Sequence, residues 1–364
     1  MTKERNYGID LLRIIAMFFV VVLHSLGQGG VLSNTALNSV QYKFSWLLEI
    51  FAYCAVDIFA LISGYVSYNG KEKKTNYSKY INIWLQVVFY GLLVTLIFNI
   101  ISPEIVSRRD YFIVLFPVTN GLYWYFTAYT GLFILMPFIN KCINNCDNET
   151  LRKIFISILL TFSVFDTIAE RFELSNGYSF IWIVLMYILG AIMKKCEIGK
   201  QMKFYQASIG ILIFYIVTWL YKIYGIERTI LNVKITKNLF VSYTSPTVLG
   251  VAILYIIGVS KINFNIVLQN LIKFAASSTF AIYILNNHKL IWNYVMKDRF
   301  INLSNQSLIR IFIYVTGFSF IFVIGAILID KIRTWVFKIC HIGEFTINAE
   351  KVLDKIITKI SNVI

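Results

Sequence analysis

The stretch Tyr7–Ser25, YGIDLLRIIAMFFVVVLHS, decides the fold class because it is long and apolar enough to cross a lipid bilayer as one helix. It nevertheless carries Asp10 and Arg13 near one end and His24 near the other. A charged side chain at the centre of a membrane helix costs about 2.5–3.5 kcal/mol, so polar groups retained there usually face a cavity or a partner. These three residues are therefore the first candidates for a functional site.

Apolar runs of similar length recur along the whole chain of 364 residues, of which 58% are hydrophobic and 15% charged. Such a composition predicts an all-α, polytopic membrane bundle. Polar loops divide the chain into about ten predicted spans, near residues 8–27, 45–68, 79–101, 111–140, 153–169, 178–194, 204–224, 239–259, 273–296 and 308–330. The fourth of these segments is expected to break around residues 117–121, where a proline and a glycine occur.

The last segment, residues 334–364, shows a different pattern. Val352, Ile356 and Ile360 share one helical face, which Lys351 and Asp354 avoid. An amphipathic helix of this kind is typical of segments that lie along a membrane surface. We therefore expect an integral-membrane domain at 1–333 and a cytoplasmic, interfacial tail at 334–364.

The formal net charge of +15 comes from lysines and arginines in short loops beside apolar spans. That placement indicates anchors against anionic lipid headgroups and argues against nucleic acid as a partner. Lys3 and the cluster of Lys71, Lys73 and Lys74 belong to the more basic set of loops. The positive-inside rule then places both termini in the cytoplasm.

The five cysteines are scattered and predict no metal site. Cys142 and Cys146 share a short segment, but neither a second pair nor a nearby histidine completes a ligand set.

The polar residues of the first span are related by helix geometry. Arg13 and His24 are eleven residues apart, which corresponds to three turns plus roughly 20°, so both point the same way about 16 Å apart. Asp10 precedes Arg13 by one turn and is close enough to pair with it. Arg13 alone could instead reach the lipid headgroups, and His24 alone could bond a neighbouring backbone. Their alignment favours a shared role, because an arginine that only reaches the headgroups has no reason to share a face with the histidine.

Ionisable residues in two other spans are further candidates. His288 lies in the ninth span at a depth similar to that of His24. Asp57 lies near the middle of the second span, where a functional role and buried structural pairing are equally open. Asp166, near one end of the fifth span, is a weaker candidate.

Four motifs resemble the bacterial integral-membrane acyltransferases called acyltransferase family 3. The most specific is GIDLLRIIAMFFVVVLH (8–24), which matches the family's Asp-x-x-Arg followed after ten residues by His. The others are AVDIFALISGY (55–65), LYWYFTAYTGLFILMPFIN (122–140) and SSTFAIYILNNHKLIW (277–292). The last departs from the family pattern, because Asn286 stands where many members have their first histidine and His288 follows two residues later.

The resemblance implies acyl transfer, usually of acetyl from acetyl-CoA, to a hydroxyl of a cell-surface polysaccharide or its lipid-linked precursor at the bacterial cell membrane. Arg13 would contact the donor, with Asp10 orienting it. His24 would act either as general base or as a nucleophile that accepts the acetyl group. Asp57 would orient or polarise a histidine, and His288 would take part in the same site. Membrane lipid, acyl-CoA and a glycan acceptor are the implied partners.

Two other functions fit a polytopic basic protein. A transporter or flippase for lipid-linked sugars or polysaccharide would line a long cavity with charges from many helices. Here the ionisable residues concentrate in spans one, two and nine, which favours a compact reaction site. A membrane sensor or interaction module is the third alternative, and it would need an attached signalling domain.

Overall fold

The computed structural model describes residues 5–68, 70, 75–230 and 233–362. Within these ranges the protein is helical except for loops and one short hairpin. In the hairpin, strand β1 (Arg228–Ile230) pairs antiparallel with β2 (Val233–Ile235). Lys3, Lys71, Lys73 and Lys74, on which part of the predicted orientation rests, lie outside the described residues.

The helices follow the predicted apolar runs. They are α1 Tyr7–Leu26, α2 Val31–Asn34, α3 Val40–Ala52, α4 Ala55–Ser67, α5 Tyr77–Ile101, α6 Arg108–Leu115, α7 Trp124–Asn145, α8 Asn148–Ile158, α9 Asp166–Ala169, α10 Phe180–Lys195, α11 Phe204–Tyr224, α12 Pro246–Val259, α13 Ile266–Ala276, α14 Thr279–Asn286, α15 Lys289–Ile291, α16 Leu308–Ile339 and α17 Ile342–Ser361. Two π-helical turns, Leu159–Phe165 and Trp292–Met296, follow α8 and α15. Short 3₁₀ turns occupy Pro103–Ile105, Ser175–Gly177 and Ile301–Asn305.

Helix α1 is the central helix of the bundle. It begins where Asn6 accepts a hydrogen bond from the backbone N–H of Ile9 (3.1 Å) and ends where the N–H of Gly27 donates to the carbonyl of Leu23 (2.8 Å). Helices α3, α4, α12, α13, α14 and α16 all pack against it. Polar side chains on α1 are therefore surrounded largely by protein.

The two faces of the bundle are named here by the ends of α1. At the Tyr7 face, the Asn6 amide donates to the carbonyl of Ser260, just beyond α12 (2.8 Å). At the Leu26 face, the Gln41 amide donates to the carbonyl of Gln306, before α16 (3.3 Å).

Seven helical segments among the described residues are long and apolar enough to cross a membrane: Tyr7–Asn34, Val40–Ser67, Tyr77–Ile101, Trp124–Asn145, Phe204–Tyr224, Ile266–Asn286 and Leu308–Ile339. The protein is thus an all-α, multi-pass membrane bundle. The other three predicted spans correspond to shorter segments. Helix α10 has 16 residues and α12 has 14, about 24 and 21 Å against roughly 30 Å of hydrocarbon. Helices α8 and α9 flank a π-helical turn. The count of about ten spans stays a prediction.

Helices α4 and α10 pack with their backbones in direct contact at a pair of glycines. A methyl group on Gly64 would lie 1.9 Å from the carbonyl oxygen of Tyr187, and one on Gly190 would lie 2.0 Å from that of Leu61. Small residues allow such close approach between membrane helices, which then gain van der Waals contact along their length. This close contact fixes the position of α10 beside α4.

The C-terminal segment differs in part from its prediction. The expected boundary between residues 333 and 334 lies inside α16, which continues to Ile339. Helix α17 then packs across the start of α5, where the backbone N–H of Tyr77 donates to Glu350 (2.8 Å). Many of the apolar residues of α17 remain exposed. Its location on a membrane surface stays a prediction.

Candidate active site

Asp10 joins two arginines at the Tyr7 face. Its Oδ1 accepts from Nη1 of Arg13 (3.1 Å) and its Oδ2 from Nε of Arg5 (2.5 Å). The contact between Asp10 and Arg13 that their spacing predicted is present. The contact between Asp10 and Arg5 was not predicted from the sequence. A buried carboxylate shared by two guanidinium groups holds both in place.

Arg13 also lines a cavity of about 280 Å³, which we call the Arg13 cavity. Its wall includes Lys79 together with Ser63, Ser277 and Thr279, whose hydroxyls donate to backbone carbonyls. Two cations in one cavity are suited to the phosphate or amide groups of a ligand.

His24 is held in place by a residue of α14. Its Nδ1 hydrogen-bonds to Oδ1 of Asn286, which is fully buried. An amide oxygen can only accept, so His24 donates from Nδ1 and keeps the lone pair on Nε2. The ring of Trp292 packs edge-on against the imidazole, with 4.6 Å between ring centroids. The arrangement fixes both the orientation and the tautomer that a general base requires.

A larger space, the His24 cavity, opens towards the Leu26 face with a volume of about 570 Å³. His24 and Glu49 line it, and the aromatic side chains of Trp124, Tyr178 and Trp292 form much of its wall. Glu49 is 8% exposed, and its Oε2 has no hydrogen-bond partner among the described residues. Aromatic faces beside a carboxyl acceptor suit a ligand with both apolar ring faces and hydroxyl donors.

A small space of about 50 Å³, the neck, lies between these two cavities. It shares Phe59, Tyr125 and Phe280 with the Arg13 cavity, and it shares His24 and Trp124 with the His24 cavity. The three spaces therefore form one row through the bundle. Arg13 lines the Arg13 cavity, and His24 lies in the wall shared by the neck and the His24 cavity.

The structure does not bring Asp57 into this row. Asp57 is fully buried, and its Oδ1 accepts from Nε1 of Trp182 on α10 (2.9 Å). Val56 and Phe59 of the same helix line the neck, whereas Asp57 lines none of the three spaces. The contact that the structure gives Asp57 is a tie between α4 and α10.

His288 also lies outside the row. It is 2% exposed, and its Nδ1 accepts from the backbone N–H of Leu290 (3.3 Å) at the start of α15. Its neighbours Asn287 and Lys289 both line the His24 cavity. His288 therefore shapes the turn that carries these two residues.

Lys289 links the rim of the His24 cavity to α6 by an ion pair with Asp110 (3.2 Å). Asp110 also accepts from the hydroxyl of Ser107 (2.7 Å) and from its backbone N–H (2.8 Å). Burial raises the pKa of the Asp110 carboxyl, but the hydrogen bonds from Ser107 and the Lys289 ion pair outweigh burial and hold that pKa below its usual range.

Sequence reasoning also missed Asn286 and Glu49. Asn286 had been noted only as a departure from the family motif, and its contact with His24 joins residues 262 positions apart. Glu49 had the signal of an acidic residue in an apolar span, but it was not selected. Among the described residues, no cluster of three or more histidine, cysteine or acidic side chains has the geometry to hold a metal ion.

The all-α membrane bundle agrees with a comparison at the level of families. A family model described as an acyltransferase domain matches residues 6–331, nearly the whole chain. The protein is a membrane acyltransferase. It belongs to acyltransferase family 3, as its motifs had indicated. Searches among curated proteins and among solved structures found no significant match.

Proposed function

We propose that this protein transfers an acetyl group from acetyl-CoA to a hydroxyl of a cell-surface polysaccharide or its lipid-linked precursor. The reaction would take place in the bacterial cell membrane, with both termini and the Tyr7 face in the cytoplasm. The observation that carries the proposal is the position of His24, in the wall between the neck and the His24 cavity with its Nδ1 held by Asn286.

The donor would enter from the Tyr7 face. Arg13 and Lys79 of the Arg13 cavity supply positive charge for the phosphates or amides of acetyl-CoA, and Asp10 orients Arg13. The thioester arm would then extend through the neck to His24, over the roughly 16 Å that three helical turns provide. A space of about 50 Å³ admits a slim chain but not a sugar ring, which supports acyl transfer over transport of a lipid-linked sugar.

The acceptor would bind in the His24 cavity. Its hydroxyl gives a proton to Nε2 of His24 while the hydroxyl oxygen attacks the thioester carbonyl carbon. The C–S bond then breaks, and the departing CoA thiolate takes the proton from the imidazolium. Transfer through an acetyl-His24 intermediate is the alternative, and it uses the same nitrogen. Asp57 and His288 act in this proposal by positioning α4, α10 and the turn before α15.

The test compares wild type with His24→Ala. His341→Ala serves as the matched control because His341 is exposed in the α16–α17 turn and lines none of the three spaces. Each purified protein is incubated with radiolabelled acetyl-CoA and a crude lipid-linked glycan extract. We expect label in the glycan with wild type and His341→Ala, and none with His24→Ala. Transfer by a folded His24→Ala protein would refute the role of His24. If folded wild type failed to bind acetyl-CoA in an equilibrium assay, acetyl-CoA would be refuted as the acyl donor.

A further inference from the structure

A second large space, which we call the loop cavity, lies beside the His24 cavity. It has a volume of about 640 Å³ and is formed by the segment 166–178 and the segment 236–244. Tyr53 and Tyr178 belong to the walls of both spaces. The two cavities are therefore neighbours that lie on either side of these tyrosines.

The chemistry of the loop cavity differs from that of the aromatic His24 cavity. Its lining is rich in hydroxyl and amide groups, including those of Thr167, Asn176, Ser242 and Thr244. Such groups both donate and accept hydrogen bonds, as the hydroxyls of a sugar do. A polar cavity of this size is suited to a hydrated, hydroxyl-rich ligand.

Asp166 places a carboxylate, a hydrogen-bond acceptor, in the wall of the loop cavity. The side chain is 2% exposed, and its Oδ1 accepts from the backbone N–H of Phe172 (3.3 Å). Its Oδ2 is buried and makes no hydrogen bond of standard geometry among the described residues, although the Thr244 side chain of the same wall interacts with the carboxylate. A buried carboxylate oxygen without such a hydrogen bond is costly, so it points to a ligand that donates hydrogen bonds.

The wall of the loop cavity is held in an unusual backbone conformation. Glu170, Ser175 and Asn176 have φ angles from 40° to 54°, in the left-handed region that residues other than glycine rarely adopt. The carbonyl of Asn176 is tied to the backbone N–H of Tyr243 (3.2 Å). Strain of this kind persists where surrounding contacts fix a binding surface in advance.

We propose that the loop cavity is a second acceptor subsite, which binds the sugar residue next to the one that is acylated. Sugar hydroxyls donate to Asp166 there, while Tyr53 and Tyr178 separate the two sugar positions. The lining contains two acidic residues, Asp166 and Glu170, and one basic residue, Arg171. A neutral sugar therefore fits this subsite better than an acidic one. The inference rests on the proposed function, and it makes the acceptor a chain of at least two sugars.

The test uses the glycan extract after partial acid hydrolysis and separation into single-sugar and longer fractions. Wild type is compared with Asp166→Asn, which keeps an oxygen to accept from Phe172, and with Glu173→Gln as the matched control. Glu173 is exposed and does not line the loop cavity. We expect Asp166→Asn to raise KM for the longer fractions by about tenfold and to leave kcat and the KM values for single sugars and acetyl-CoA unchanged. Glu173→Gln should behave as wild type.

Thr167→Tyr provides a second variant, because a bulky side chain at that position fills the loop cavity without removing a charge. It should also weaken only the longer acceptors. Equal KM values of wild type for short and long fractions would overturn the subsite. So would an Asp166→Asn variant that loses activity on all fractions in equal proportion. Label on no fraction with folded wild type would instead refute the proposed function, and the subsite with it.

Discussion

The hydrogen bond between Asn286 and His24 offers the sharpest test of the proposed role of His24 as a base. Asn286→Ala removes the oxygen that accepts from Nδ1 of His24. The imidazole is then free to rotate and to carry its proton on either nitrogen. By analogy with residues that orient metal-bound histidines, whose loss costs about tenfold to hundredfold, we expect kcat to fall by a similar factor. The KM for acetyl-CoA should change little, because Asn286 does not line the Arg13 cavity.

The effect on stability should be smaller than the effect on rate. Asn286 is fully buried, but its Nδ2 has no hydrogen-bond partner among the described residues. The substitution therefore removes one hydrogen bond together with one unsatisfied donor. The first change lowers the free energy of unfolding by about 1 kcal/mol and the second offsets part of that loss. A tenfold to hundredfold rate effect corresponds to about 1.4–2.7 kcal/mol of transition-state stabilisation.

Steady-state acetyl transfer and thermal unfolding in detergent measure the two effects separately. Asn286→Asp keeps an acceptor oxygen beside His24 and should retain most of the activity. Asn362→Ala, an exposed substitution of the same kind at the end of α17, should match wild type in both assays. A folded Asn286→Ala protein with a kcat within twofold of wild type would refute this reasoning. So would a loss of rate that is fully explained by a lower Tm.

Three further predictions concern other contacts. Arg13→Ala should raise KM for acetyl-CoA on the order of tenfold with a smaller change in kcat, measured by initial rates at varied donor concentration; an unchanged KM would exclude Arg13 from the donor site. The low pKa of Asp110 means that its hydrogen bonds from Ser107 and its ion pair with Lys289 stabilise the fold above the unfolded pKa of about 4. This stabilisation is lost as the pH falls through the folded pKa. The Tm difference between wild type and Asp110→Asn should therefore shrink below about pH 4, and a constant difference would contradict this. Gly64→Ala should lower the free energy of unfolding by about 1–3 kcal/mol or more because its methyl group meets backbone, whereas Gly325→Ala, which has open space around it, should not; equal Tm values for the two variants would argue against the close packing of α4 and α10.

The all-α membrane bundle and the approximate positions of its helices could be predicted because apolar length alone decides which segments form membrane helices. The gap between α6 and α7 was also predictable, since Pro117 and Gly121 interrupt the pattern. The break at Tyr53 and Cys54 between α3 and α4 was not, because no glycine or proline marks it within a continuous apolar run. Such breaks depend on packing between helices, which periodicity does not record.

The candidate site could also be predicted only in part from the sequence. Arg13 and His24 could be placed on one face because a single helix fixes their relation. Asp57 and His288 were selected by residue type and depth. What Asp57 contacts depends on its rotation about the axis of α4, and His288 lies in the turn before α15 and not within a helix. The contact of Asn286 with His24 is purely tertiary, and no local pattern predicts it. The family motif nevertheless marked its position as unusual.

The small volume of the neck has a consequence for the leakage of ions across the membrane. Each ion that crosses a membrane potential of 100 mV dissipates about 2.3 kcal/mol, so an open pore through the bundle would drain the gradient continuously. A space of about 50 Å³ bounded by Phe59, Tyr125 and Phe280 holds only a few water molecules and no hydrated ion. The neck therefore allows the Arg13 cavity and the His24 cavity to lie in one bundle without forming an open path for ions.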